Sequence, residues 1–157
     1  MRPFEELVQE HGPVVMRVCR ALLAPADAED AWSETFLSAL QAYPRLRPDS
    51  NVRGWLVTIA HRKALDQLRG AARRARPAGD LPDGATTDPT PVDHGGELRA
   101  ALDALPPKQR QAVIFHYLAD LPYAAVATMI DSSEAAARRS AADGIANLRR
   151  RTGRTPG

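Results

Sequence analysis

The sequence predicts an all-α protein made of two small helical domains joined by a flexible linker. Three observations carry that expectation. Apolar residues recur every three or four positions in both halves of the 157-residue chain, the period of one face of a helix. Residues 77–96, PAGDLPDGATTDPTPVDHGG, are rich in Pro, Gly, Asp and Thr and nearly lack large apolar side chains. Such a segment cannot bury enough surface to offset the entropy of ordering, so it is expected to be an extended, flexible linker. Charge divides at the same places. Residues 1–50 hold five Arg against eight Asp/Glu, and residues 51–76 hold seven Lys/Arg against Asp66. Residues 77–96 hold four Asp and no base, and residues 97–157 nine bases against six acids. Two basic blocks separated by an acidic spacer fit two contacts with a polyanion, although a solvated helix face produces the same pattern. The expected domains are thus 1–76 and 97–157.

Composition narrows the function. Hydrophobic residues make up 44% and charged residues 25%, which argues for a packed core and against global disorder. No apolar run reaches the ~18 residues of a membrane helix. The start, MRPFEELVQEHG, is acidic where a signal peptide would be basic and then apolar, so a cytoplasmic protein without membrane attachment is expected. Cys19 is the sole cysteine and falls among Val15, Val18 and Leu22, the place of a buried structural thiol. His11, His61, His94 and His116 are scattered without metal-ligand spacing. With no phosphate-cradling glycine loop, nucleophile elbow or carboxylate pair, no enzyme activity, cofactor, metal or small-molecule substrate is expected.

Taken in order, Phe4, Leu7, Val8, His11, Val15, Val18, Cys19 and Leu22 trace a first helix, which Gly12-Pro13 should weaken or kink. A second begins at Asp27, expected as its cap, with Glu29 and Asp30 near the positive end of the dipole. Its apolar side is Ala28, Trp32, Phe36, Leu40 and Tyr43, and Pro44 ends it. After the loop 44–51, a third helix spans about 52–74. It has Trp55, Leu56, Ile59, Ala60 and Leu68 on one side and Arg53, Arg62, Lys63, Asp66, Arg69 and Arg73 on the other. The second half opens with a short helix, 98–105, stopped by Pro106-Pro107. A helix around Val113, Ile114, Tyr117 and Leu118 follows, then a short one from Tyr123 to Met129. The turn Ile130-Asp131-Ser132 leads to a last helix capped by Ser133 and running to about Arg151. Two short helices around a tight turn, the second with adjacent arginines, form a helix-turn-helix.

These residues resemble the extracytoplasmic function (ECF) sigma factors of bacterial RNA polymerase, over nearly the whole chain outside the linker. Asp27-Ala28-Glu29-Asp30 followed by Glu34-Thr35-Phe36 is similar to that family's DAED-x-x-QETF motif. Gly54 to Ala60 and Asp66-Gln67-Leu68-Arg69 resemble its promoter-reading helix. Leu105-Pro106-Pro107-Lys108-Gln109-Arg110 resembles its LP-x-x-x-R segment, and Tyr123 to Leu148 its DNA-binding helix-turn-helix. The chain departs from the pattern at Ser33 (usually Gln), Pro122 (usually Ser), Asp131 (usually Gly), Arg138-Arg139-Ser140 (usually Lys-Ser-Arg) and Asp143 (usually basic). Position 131 often needs a left-handed backbone, which Asp tolerates better than most residues.

The resemblance implies a sigma region 2 domain, a sigma region 4 domain, and a protein that docks on core RNA polymerase, recognises promoter DNA and opens it. An anti-sigma protein is an implied partner. Polymerase docking falls to Asp27, Asp30 and Glu34, acids that also favour a helix N-terminus. The melting loop is Arg45, Arg47, Asp49, Ser50 and Asn51, where Ser50 or Asn51 alternatively caps a helix. DNA contacts in the first domain fall to His61, Arg62, Lys63 and Arg69, with Asp66 better read as the centre of a local charge network. Those in the second fall to Ser133, Glu134, Ala137, Arg138 and Arg139. Two rival classes stay open at this point: a free-standing helix-turn-helix regulator, and a degenerate sigma-like interaction module.

Overall fold

The computed structural model describes residues 2–75 and 95–152. Most of the expected linker, 77–96, lies outside the described residues; its last two, Gly95 and Gly96, already belong to a helix. All regular structure among the described residues is helical.

The first half is a bundle of α1 (Phe4–Leu22), α2 (Pro25–Ala42) and α3 (Val52–Ala75), with a 3-10 turn at Tyr43–Arg45. α1 runs unbroken through Pro13, against the expected interruption at Gly12-Pro13. Beside the proline the Trp32 indole N–H donates to the Gly12 carbonyl at 2.9 Å, which ties α2 to this turn of α1. A Cβ on Gly12 would lie 3.3 Å from the Trp32 ring, so the glycine makes room for the tryptophan. α2 also starts earlier than expected. Its cap is Ala24, without a side-chain hydrogen bond, and Pro25 occupies the first helical position, where its fixed φ and missing N–H cost nothing. Asp27 therefore sits in the first turn and favours the dipole but does not cap the helix. α3 is capped by Asn51, whose Oδ1 accepts from the Gly54 N–H at 3.1 Å.

Val14, Val15, Val18 and Cys19 of α1 meet Ala28, Ala31 and Phe36 of α2 and Leu56, Val57, Ala60 and Ala64 of α3 in the core. Each large aliphatic side chain so buried contributes about 1.5–3 kcal/mol. Burial pushes the Cys19 thiol up to about 12, which keeps it protonated and inert.

The second half comprises α4 (Gly95–Asp103), α5 (Pro107–Val113), α6 (Tyr123–Met129) and α7 (Glu134–Thr152). Between α5 and α6 the chain widens into a π turn, Ile114–Leu118, closed by the Ala119 N–H on the Ile114 carbonyl at 2.9 Å. Two non-glycine residues with positive φ bracket α6, Asp120 (62°) and Asp131 (57°). The second is the left-handed position foreseen for the turn. Ser133 caps α7 as expected, its Oγ accepting from the Ala136 N–H at 3.1 Å. α5 and α7 approach closely because Gly144 lacks a side chain; a Cβ there would lie 2.6 Å from Val113 Cγ2.

The halves meet along a seam in which α1 packs on α4 and the π turn while α3 touches α6. Arg17 Nη1 donates to the Leu118 carbonyl at 2.8 Å. Arg53 Nη1 lies 3.8 Å from the Asp120 carboxylate, and the His61 ring meets Phe115 edge-on at 5.2 Å.

Candidate nucleic-acid interface

Three surfaces carry the residues singled out from sequence. On α2, Asp27, Asp30 and Glu34 are all exposed along one edge, at the three- and four-residue steps that align side chains. Among the described residues neither Asp30 nor Glu34 has a hydrogen-bond or ion-pair partner. Leu40, expected on the buried side, is 51% exposed, and Leu37 beside it 62%; Ala31, Thr35 and Ala39 take the inner positions instead. The Thr35 hydroxyl is satisfied by donating to the Ala31 carbonyl at 2.7 Å. The outer face of α2 therefore joins unpaired acids to two bare leucines, which charge reading alone did not show.

The second surface is the loop before α3 and the polar strip of α3. Arg45, Arg47, Asp49 and Asn51 are exposed and Ser50 half-buried. The Ser50 N–H closes a turn on the Arg47 carbonyl at 3.1 Å, and Asn51 is engaged as the α3 cap. Ser50, Asn51 and Arg53 line a cleft whose other wall includes Asp120 and Pro122 of the second half. On α3, Arg62 and Arg69 are exposed and Lys63 half-buried. Asp66 pairs with Arg69 at 3.1 Å, the local pair anticipated for it. His61 behaves differently: it turns into the seam against Phe115, and its buried Nε2 has no partner among the described residues. Burial, with the Arg110 and Arg62 charges adding to it, pushes the His61 imidazole down to about 4. It is neutral at physiological pH.

The third surface is α7. Glu134 and Arg138 face each other as an i, i+4 pair at 2.9 Å. Ala137 is fully buried; it packs into the domain core and turns away from the surface where a DNA contact was expected. Arg138 Cζ sits 4.7 Å from the centroid of the Tyr123 ring, and Tyr123 stacks on His116 at 3.8 Å and 16°. Sequence reading missed Tyr123 and His116, because the three residues come from three separate elements. No cluster of three or more His, Cys, Asp or Glu able to hold a metal occurs among the described residues, and none of the described helices is long and apolar enough to cross a membrane.

The helical bundle and the helix-turn-helix with basic residues on its second helix make a two-part helical protein whose second half has the architecture of a DNA-binding motif. Residues 7–74 match the Sigma-70 region 2 family and residues 95–148 the Sigma-70 region 4 family. RNA polymerase sigma factor CarQ of Myxococcus xanthus is 33% identical, over 93% of this chain and 87% of CarQ. The ECF RNA polymerase sigma factor SigE of Mycolicibacterium smegmatis is also 33% identical, but the chain spans only 51% of its length. Sigma factor RpoE of Bartonella quintana, solved in complex with the anti-sigma factor NepR, has the same fold (TM-score 0.75, 19% identity, 96% of each chain). The chain belongs to the ECF RNA polymerase sigma factors.

Proposed function

We propose that this protein docks on core RNA polymerase through the outer face of α2, reads promoter DNA with α3 and α7, and opens it with loop 45–51. The observation that carries this reading is the order of two sigma-70 domains in one chain, the first presenting acids without partners among the described residues. Asp30 and Glu34 supply the charge for a basic polymerase surface, and Leu37 and Leu40 the apolar area beside it. No covalent step is involved. Extracting a base from the stack costs a few kcal/mol, which Ser50, Asn51 and the backbone of the loop repay by hydrogen bonding to its edge. The site of action is the cytoplasm, where the polymerase is.

The seam bears on this mechanism. Arg53 and His61 of α3 contact Asp120 and Phe115, so the closed arrangement covers part of the proposed reading strip, and promoter engagement requires the halves to part. The relative RpoE is solved with an anti-sigma factor, and an anti-sigma protein is the regulatory partner we infer for this chain.

Run-off transcription with purified core polymerase tests the reading. Wild type should initiate at a defined start. The double variant Asp30→Lys/Glu34→Lys should lose most polymerase binding in a pull-down while its helical circular dichroism is unchanged, since exposed substitutions rarely move stability by more than ~0.5 kcal/mol. Unchanged pull-down would remove the docking assignment. Site-specific duplex binding by the free protein without polymerase would favour a free-standing regulator.

A further inference from the structure

We propose that Tyr123, backed by His116, positions Arg138 to read a base of the upstream promoter element and leaves the adjacent Arg139 to the phosphates. The inference rests on the reading of α7 as a recognition helix and deepens it. Arg138 and Arg139 are neighbours of the same type, both exposed, yet the fold treats them differently. Arg138 is fixed at two points: its Nη2 donates to Glu134 Oε2 at 2.9 Å, and its guanidinium carbon lies 4.7 Å from the Tyr123 centroid. Among the described residues Arg139 has no such partner.

The platform under Arg138 is itself fixed. His116, in the π turn, stacks on Tyr123 at 3.8 Å with 16° between planes. That imidazole fills one face of the phenol ring, so the guanidinium takes the other. His116 Nδ1 is 2.9 Å from the Leu121 carbonyl; a carbonyl only accepts, so Nδ1 carries the hydrogen and the ring orientation is set. Tyr117 closes the cluster edge-on, 4.8 Å from His116. The π turn, α6 and α7 thus converge on one side chain of the recognition helix.

Fixing an arginine matters for reading bases. A guanidinium recognises a guanine edge through two parallel hydrogen bonds, which demand one orientation. A side chain already held by a cation–π contact and an ion pair loses less rotamer freedom when it binds. A phosphate accepts from many directions and needs no such preparation. Tyr123 is therefore a positioning residue, acting through Arg138 without touching DNA.

The experiment uses the full chain with core polymerase and a duplex pool randomised at the upstream element, from which wild type selects its preferred sequence. Arg138→Ala should flatten the preference at one position, a discrimination of about 5- to 150-fold for a bidentate contact. Tyr123→Leu, which keeps apolar volume without the aromatic face, should flatten the same position by about two- to fivefold. Tyr123→Phe should restore it. In the Arg138→Ala background, Tyr123→Leu should add nothing. Arg139→Ala should instead weaken all sequences alike and lower the salt slope of binding by about 0.9. If Tyr123→Leu leaves the preference intact, or adds its full loss on top of Arg138→Ala, the positioning role is overturned while the reading of α7 stands. If Arg138→Ala itself leaves the preference unchanged, the reading of α7 falls and the positioning role with it. Thermal melting of Tyr123→Leu and Tyr123→Phe separates both results from a folding defect.

Discussion

In the first half Asp30 and Glu34 stand on α2 without a partner among the described residues, whereas in the second half Arg138 is held between Glu134 and Tyr123. The contrast extends to the packing beneath them. Leu7, Val15, Val18, Leu56 and Val57 are fully buried in the first half and form a broad aliphatic core. In the α6–α7 layer small residues, Ala127, Ala137, Ala141 and Gly144, are buried beside Val126 and Ile130, and at Gly144 α7 lies close to α5. A surface that meets another protein over a wide area tolerates mobile charges, because many contacts share the alignment. A surface that reads one base edge needs a side chain oriented in advance. On the function proposed above, the two halves divide those tasks.

The largest expected effect tests the aliphatic half. Leu56→Ala empties a fully buried site and should destabilise by about 2–5 kcal/mol, depending on how far the cavity collapses. Chemical denaturation monitored by Trp32 and Trp55 fluorescence would measure it; a loss below ~1 kcal/mol would mean that this core is not the tightly packed one described.

A smaller effect tests close packing in the second half. Gly144→Ala would normally stabilise a helix by about 1 kcal/mol. Here the new methyl would stand 2.6 Å from Val113 Cγ2 and 3.1 Å from the Gln109 carbonyl oxygen, and Val113 is 3% exposed with little room to move. Overpacking should win, for a net loss of about 1–3 kcal/mol. A stabilised variant in the same denaturation experiment would break the comparison.

The smallest effect concerns the seam and pH. In the closed arrangement the His61 imidazole is pushed down to about 4, by burial first and then by Arg110 and Arg62; once the seam opens, it returns towards the ordinary value near 6.5. The open form therefore binds more protons between those values. Closure is fully favoured above about pH 6.5 and weakens as pH falls towards 4. His11 is lowered in the same direction, chiefly by burial, with Glu10 opposing and Arg53 and Arg2 assisting. Acid should open the seam before it unfolds either half, so the global melting temperature should move little. Small-angle scattering at pH 7 and pH 5 would register the expansion, and His61→Phe should remove most of it. Equal dimensions at both pH values would sink the assignment.

Much of the fold was legible in the sequence because local rules were obeyed there. Ser133 caps α7 where a serine precedes the helical run, α6 spans the same Tyr123–Met129 that the turn signals bracket, and Asp131 takes the left-handed backbone expected of its turn. Departures came where packing or a nearby proline decided the outcome. α1 continues through Pro13, where Trp32 packs on the Gly12 side of the turn. Asp27 is not a cap because Pro25 begins the helix two residues earlier. Leu40 fits a three-to-four spacing yet faces out, and Ala137, adjacent to Arg138, faces in. On the candidate interface, the residue types were readable, but which arginine is fixed was not. That depends on Tyr123 and His116, separated from Arg138 along the chain and joined to it only by folding.

The π turn at Ile114–Leu118 has a consequence for chain length. A turn closed five residues on, from Ile114 to Ala119, holds one residue more than an α turn, which normally bonds four residues on. Deleting the half-exposed Tyr117 would let the stretch close as ordinary helix, with α5 and α6 keeping nearly their present places. Deleting the exposed Ala142 in α7 would instead rotate everything after it by about 100°, taking Ile145 and Leu148 off the core. A single-residue deletion is thus absorbed in the turn that carries His116 and rejected in the helix that carries Arg138. The platform has slack in its length; the reading helix has none.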